Sequence, residues 1–213
     1  MILLDHLVVA AVTLDEGAAW LESRLGVPVS PGGRHDAMGT HNRLLSLGPG
    51  RYLELIAIDP GAPAPQRARW FELDAPAMRA RLARSPALIH WVARTDDIEH
   101  AVGATAFGHC DILSLARGPF RWRIGVPPSG SLAQDGIAPT MIEWQGGGHP
   151  SELLPDAGCR LEALVLCHPE APETLHSLSL AGLAPGEPVE AATIGRGLDA
   201  RIRTPRGIVE LRE

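Results

Sequence analysis

Three segments of the chain repeat one pattern, in which a single glutamate lies inside a short apolar run. The glutamates are Glu54, Glu143 and Glu210, and the runs that precede them by about 50 residues carry His6, His90 and Ala163. Self-similarity at such a period indicates a repeated supersecondary unit. The chain must therefore fold from about three related copies, and two of them keep both the histidine and the glutamate.

Within each copy, the order of apolar runs and helix signals predicts a strand, a helix and then two or three strands. In the first copy, Thr13 and Glu16 form a capping box that begins a helix, and Gly26 followed by Pro28 ends it. Acidic residues near Asp97 begin the corresponding helix of the second copy. Strand-rich copies interrupted by single helices predict an α+β fold with mostly antiparallel sheets.

Breaks in this pattern divide the chain into units. The predicted units are a first βαβββ module at residues 1–58, a linker with a short helix at 59–85, a second βαβββ module at 86–146, and a third, similar module at 156–213. Proline and glycine mark the linker, and Pro31-Gly32-Gly33 predicts a loop inside the first module.

Composition excludes several classes of function. The 213 residues carry a net charge of −6, whereas a nucleic-acid-binding protein needs a dense basic surface. No apolar run reaches the roughly 20 residues of a membrane-spanning helix, and the first residues do not resemble a signal peptide. Three cysteines without a Cys-x-x-Cys pair suit a reducing compartment, so we expect a cytoplasmic protein without membrane or nucleic-acid partners.

The histidines and glutamates of the repeats are also candidate ligands of a divalent metal. An ionised carboxylate inside an apolar strand is costly unless it is paired or binds a cation. Imidazole and carboxylate together are common ligands of divalent metals. A buried structural role stays open for each residue, above all for His90, which precedes Trp91 in an apolar strand.

These features resemble the vicinal oxygen chelate superfamily, and in particular its glyoxalase-like domain branch. The resemblance is carried by Leu4-Asp5-His6-Leu7-Val8-Val9, Gly39-Thr40-His41-Asn42, Tyr52-Leu53-Glu54-Leu55-Ile56, Gly136-Ile137-Ala138-Pro139, Ile142-Glu143-Trp144 and His149-Pro150. It implies that two modules pair edge to edge and curl into a cup. It also implies a divalent metal (Zn, Ni, Fe, Mn or Co) held by His6, Glu54, His90 and Glu143.

Four ligands would leave two positions of an octahedron for a small oxygenated substrate, which favours lyase or isomerase chemistry. By analogy, Glu143 is the first candidate for the catalytic base and Glu54 the second. Further candidate substrate contacts are His41, Tyr52, Arg123 and Trp144, although a solvated strand position is the more common role for an arginine such as Arg123. His149, in a glycine-rich loop, could gate the cup.

Two other classes of function fit the same sequence. A non-catalytic module could sequester an apolar ligand without metal, and a ring-cleaving dioxygenase would use two histidines and one carboxylate instead of four ligands. A structural role, with the acids only hydrogen-bonded to one another, is the third possibility. The third module has no fourth module to pair with, so it either covers the outside of the cup or pairs with a second subunit in a homodimer.

Overall fold

The computed structural model describes residues 1–105, 107–146 and 148–212. The elements of the first unit and the following linker are β1 (Ile2–Ala10), α1 (Leu14–Leu25), β2 (Ser30–His35), β3 (Thr40–Ser46), β4 (Tyr52–Ile58) and α2 (Pro76–Leu82). The second unit comprises β5 (Ala87–Thr95), α3 (Ile98–Ala104), β6 (Asp111–Arg117), β7 (Phe120–Val126) and β8 (Thr140–Gln145). The third comprises β9 (Arg160–Cys167), α4 (Ala171–Leu180), β10 (Val189–Ala192), β11 (Gly197–Thr204) and β12 (Gly207–Arg212).

The predicted α+β class is confirmed, and local sequence signals place the helices. The Thr13 hydroxyl accepts a hydrogen bond from the Glu16 amide and begins α1, while Gly26, at φ 72°, ends it in the left-handed conformation. Asp97 caps α3 in the same way through the His100 amide. No helix of the described residues is long and apolar enough to cross a membrane.

The first two units share one curled sheet of eight strands in the order β2-β3-β4-β1-β5-β8-β7-β6. The first strands of the two units, β1 and β5, pair antiparallel at its centre, and each pairs in parallel with the last strand of its own unit. The sheet curls until its edge strands β2 and β6 come into contact. We call its concave face the cup.

One sequence prediction in the first unit is wrong. Residues 31–33 are not a loop but belong to strand β2, which pairs with β3 only and has an irregular register between Pro31 and Arg34. Proline and glycine are tolerated here because β2 is an edge strand with a bulge.

The third unit forms a separate sheet in the order β10-β9-β11-β12. Here the first strand, β9, lies inside the sheet, between β10 and β11, whereas β1 pairs with the last strand of its unit. The third unit therefore follows the strand and helix order of the other two but not their topology. Its apolar face packs on the convex side of the large sheet, in one core with α1 and α3.

The segment between the first two units crosses the cup. Trp70 and Phe71 are both 4% exposed and pack with Val92, Trp122 and Ile142 on the concave face. The linker predicted from its prolines therefore also supplies the core of the cup.

Candidate functional site

A bulge in β1 directs two polar residues towards the cup. Leu4 pairs with Ala93 and His6 with Val92, so Asp5 is an extra residue in the ladder. Asp5 is completely buried, and its Oδ1 lies 2.6 Å from Nδ1 of His6. Its Oδ2 accepts hydrogen bonds from Nε1 of Trp144 at 2.9 Å and from Nε2 of His149 at 3.0 Å.

These bonds decide the charge of Asp5. Burial opposes ionisation, but the hydrogen bonds from His149 and His6 outweigh it and hold the pKa of Asp5 well below its usual range. The resulting carboxylate retains a proton on Nδ1 of His6 and turns Nε2 of that ring into the cup. Tyr52 stacks on the same ring at 4.5 Å between centroids.

Glu54 lies next to His6 in the cup. Its Oε2 is 3.8 Å from Nε2 of His6, and its Oε1 accepts a 2.6 Å hydrogen bond from Nδ2 of Asn42. Glu54 is 5% exposed, and among the described residues no arginine or lysine forms an ion pair with it. A buried carboxylate is thus held by an amide and flanked by imidazoles.

Asn42 connects Glu54 to the edges of the sheet. Its Oδ1 accepts hydrogen bonds from the Gly33 amide at 2.8 Å and from Nη1 of Arg117 at 2.9 Å. The same Nη1 lies 3.3 Å from Nε2 of His35. Burial lowers the pKa of His35 to about 4, so this ring is neutral and its Nε2 can accept from Arg117.

The space left in the cup is small and aromatic. A cavity of about 30 Å³ lies between His6, Glu54, Arg117 and the rings of Trp70, Phe71, Trp122 and Trp144. This volume holds one or two water molecules. The Nε1 of Trp70 is buried there and has no hydrogen-bond partner among the described residues. The space beside Glu54 is smaller than a substrate molecule, so side chains that line the cavity must move for one to enter.

The expected ligand His90 is on the cup side but fully engaged. Its Nδ1 donates to the Gly136 carbonyl at 3.1 Å, and its Nε2 accepts from the Thr140 amide at 3.1 Å. Burial lowers the pKa of His90 to about 3, so the ring is neutral. Neither nitrogen is free to bind a metal in this arrangement.

Glu143 differs from the sequence expectation. Ile142 and Trp144 line the cup, so Glu143, between them in β8, faces the opposite side of the sheet. There its Oε2 accepts from the Ile98 amide at 3.0 Å and its Oε1 from Arg123 at 3.4 Å. Arg123, a candidate substrate contact for which a solvated strand position was the more common role, pairs on this outer face with Glu143 and Glu99.

The other predicted substrate contacts divide between two places. Tyr52 and Trp144 line the cavity of the cup. His41 lies on the other face of β3, in a cavity of about 860 Å³ beside Leu14 and Leu82. Burial lowers the pKa of His41 there.

The four-ligand metal set does not fit these positions. Of the four residues, His6 and Glu54 are neighbours, His90 is occupied by protein groups, and Glu143 is on the outer face. No three His, Cys, Asp or Glu side chains in residues 1–105, 107–146 and 148–212 are placed to share one metal ion. The guanidinium of Arg117 beside Asn42 adds positive charge to the same space.

The sequence reasoning missed Asp5, His35, Asn42 and Arg117. Asn42 carried a signal, because it alternates with Leu44 along a predicted cup strand. Asp5 carried a weaker sequence signal, as an acidic residue next to the candidate ligand His6. Arg117 carried no sequence signal, because its contact with Asn42 depends on the two sheet edges meeting.

The two buried histidines predict how stability depends on pH. His35 and His90 stay neutral in the folded protein, with pKa values of about 4 and about 3, but would titrate near 6.5 when unfolded. Their neutral burial therefore stabilises fully above pH 6.5, and protonation of the unfolded chain removes this stability as the pH falls. Through each histidine, the free energy of unfolding should be about 2 kcal/mol lower at pH 5 than at pH 7.

Urea unfolding at the two pH values measures this effect. The difference in unfolding free energy between pH 7 and pH 5 should shrink by about 2 kcal/mol in His90→Gln. The exposed His109 serves as the control, and His109→Gln should keep the wild-type difference. An unchanged difference in His90→Gln would contradict a neutral, buried His90.

Comparison with known proteins agrees with this fold. The family model described as "Glyoxalase-like domain" matches residues 4–181. A hypothetical protein from Staphylococcus aureus has a similar structure, with 13% sequence identity, a TM-score of 0.62, and coverage of 99% of this chain and 98% of that chain. No curated protein sequence matches the chain.

Weaker structural similarity extends to methylmalonyl-CoA epimerases. The enzyme from Mycobacterium tuberculosis is 18% identical, with a TM-score of 0.40 over 66% of this chain and 85% of that chain. A variant of the Streptomyces coelicolor enzyme is 16% identical, with a TM-score of 0.41 over 68% and 95%. The family match spans most of the chain, and the chain therefore belongs to the glyoxalase-like domain family of the vicinal oxygen chelate superfamily.

Proposed function

We propose that this protein is an enzyme that moves a proton on a small carbonyl compound, in the lyase or isomerase class. The observation that carries the proposal is the buried row Asp5, His6 and Glu54 on the wall of an aromatic cup. The carboxylate of Glu54 faces the cavity and is placed to accept a proton from a compound bound there. The position of Glu54 supports this role better than that of Glu143, which faces α3.

The proposed reaction needs only side chains of the cup. Oε2 of Glu54 takes a proton from the carbon next to the substrate carbonyl, and the C–H electron pair moves to the carbonyl oxygen as an enolate forms. Nε2 of His6, on a ring fixed through Nδ1 by Asp5, donates a proton to that oxygen, which gives an enol. The carbonyl re-forms as His6 takes this proton back, and return of the first proton from Glu54 to the other face of the carbon gives the isomer. Where the next carbon carries a leaving group, that group instead departs with its electron pair as the carbonyl re-forms, which gives the lyase product.

The metal expected from the sequence is not used in this proposal. A metal at His6 and Glu54 would lack the other two predicted ligands, because His90 and Glu143 are engaged elsewhere. Proton transfer by Glu54 and His6 accounts for the same reaction class with residues that do lie together. The cytoplasmic location and the homodimer stay predictions.

Proton exchange tests the proposal without knowledge of the natural substrate. Pyruvate and hydroxyacetone are incubated with the protein in D₂O, and loss of their C–H signals is followed by ¹H NMR. We expect exchange faster than in buffer, and unchanged after prior treatment with a chelator. Absence of protein-dependent exchange on a wider set of small carbonyl compounds would overturn the proposal.

A second candidate function has support from the aromatic walls of the cup. Trp70, Phe71, Trp122 and Trp144 surround the cavity, as expected of a module that sequesters a flat apolar ligand. Such a module would bind aromatic compounds tightly and show no exchange. Tryptophan fluorescence titrations with naphthalene and naphthoate, run beside the exchange assay, distinguish the two functions.

A further inference from the structure

A groove opens where the two edges of the large sheet meet. It has a volume of about 530 Å³ and lies between Gly32 and Gly33 of β2, Gly118 and Phe120 of the β6–β7 hairpin, and Leu154. Arg117 lines both this groove and the cavity of the cup, in which Glu54 lies. Its side chain therefore connects the groove to the site of the proposed base.

The guanidinium of Arg117 is only partly engaged. Nη1 makes its contacts with Asn42 and His35, but Nε and Nη2 have no hydrogen-bond partner in the described part of the chain. No described Asp or Glu forms an ion pair with it either, in contrast to Arg123 and Arg160. A guanidinium has five N–H donors, so the pair on one edge is available for a bidentate acceptor.

Two glycines of β2 leave space for the side chains of Arg117 and Asn42. A Cβ on Gly33 would lie 2.6 Å from Cδ of Arg117, and a Cβ on Gly32 would lie 2.2 Å from Oδ1 of Asn42. Both distances are shorter than real contacts, so side chains at these positions would displace the residues that hold the guanidinium. The two glycines let β2 run close under Arg117.

We propose that Arg117 is an anion-binding residue that selects substrates with a carboxylate next to the reacting carbonyl, that is, 2-oxo acids and related compounds. This inference rests on the proposed function and specifies its substrate class. The carboxylate binds Nε and Nη2, while Asn42, bonded to both Arg117 and Glu54, sets the distance between the anion and the base.

Binding of unreactive analogues tests this inference. Oxamate has a carboxylate beside a carbonyl and no exchangeable C–H, and its methyl ester is the uncharged counterpart. Tryptophan fluorescence of the whole protein is titrated with both. We expect oxamate to bind, its ester to bind at least about 10-fold more weakly, and Arg117→Gln to lose about 10- to 100-fold in oxamate affinity.

Two further variants control for structural damage. Arg121 lies on the neighbouring strand and, among the residues that the structure describes, donates only to the carbonyls of Gly118 and Phe120, so Arg121→Gln should bind oxamate like the wild type. Arg117→Lys keeps the charge without the planar fork and should fall between wild type and Arg117→Gln. Equal oxamate affinity in wild type and folded Arg117→Gln, judged by circular dichroism and melting temperature, would overturn the inference.

The outcomes separate this inference from the proposed function. Oxamate binding that depends on Arg117, without protein-dependent proton exchange on pyruvate or on the wider set of carbonyl compounds, would refute the catalytic proposal and retain the anion site. The opposite outcome is exchange that requires Glu54 but is accelerated over buffer by the same factor for pyruvate and for methyl pyruvate. It would refute the anion site and retain the catalytic proposal.

Discussion

Replacement of Glu54 by glutamine should abolish most proton exchange. Glutamine keeps the shape of the side chain and can still bond to Asn42, but it cannot accept a proton from carbon. General base catalysis contributes about 10²- to 10⁴-fold, so the exchange rate on pyruvate should fall by at least about 100-fold. The measurement is the initial rate of ¹H signal loss in D₂O at pH 7.

Glu143→Gln is the matched comparison. Glu143 is the same residue type on an equivalent strand, but its carboxylate contacts the Ile98 amide and Arg123 outside the cup. We expect its exchange rate to stay within about 2-fold of wild type, since its charge pair is not at the reacting carbon. A 100-fold loss in Glu143→Gln with little change in Glu54→Gln would assign the base to Glu143 and refute the site described here.

Replacement of Phe71 by alanine should cause the largest loss of stability. The ring is 4% exposed and packs against Trp70 and His90 in the cup. Truncation of a buried phenylalanine costs about 3–5 kcal/mol, through lost burial and the cavity left behind. Urea unfolding at pH 7 measures this loss. Phe107, which is half-buried on the other side of the sheet, is the control, and Phe107→Ala should cost less than half as much.

The same variant also tests how the cup opens. Phe71 and Glu72 have φ angles of 59° and 57°, the left-handed region that side chains disfavour, so packing of the ring in the cup must hold this backbone in place. Without the ring, the enlarged cavity should bind benzene, seen as a melting temperature that rises with benzene in Phe71→Ala and not in wild type. A loss of stability equal to that of Phe107→Ala, without benzene binding, would show that the ring does not occupy the cup.

The sequence predicted the elements well because their signals are local. The cap at Thr13 and the glycine at Gly26 bound α1 as expected, and the alternation around Glu54 correctly placed it on one face with Tyr52 and Ile56. These features depend on hydrogen bonds and strand periodicity within a few residues. The three-fold repeat could be predicted from the spacing of similar apolar runs alone.

The site was harder to predict because three of its features depend on distant pairing. Glu143 has apolar neighbours like those of Glu54, and a strand buried on both faces gives no alternation that would reveal which face a residue takes. The bulge that turns Asp5 towards His6 exists only in the ladder between β1 and β5. The role of Trp70 and Phe71 follows from the path of the linker, which proline content alone does not fix.

The attachment of the third unit to β1 has a consequence for biosynthesis. The Ile2 amide donates to the Gly182 carbonyl, and the Leu4 amide donates to Glu187, whose other oxygen binds Arg51. The strand that carries Asp5 and His6 is thus tied to residues made about 180 positions later, as the separation of 183 between Leu4 and Glu187 shows. Contacts between such distant positions form slowly and require the later residues to have left the ribosome. The strands of the cup end at Gln145, so β1 can pair with β4 and β5 before the third unit is made, whereas its bonds to Gly182 and Glu187 form only later.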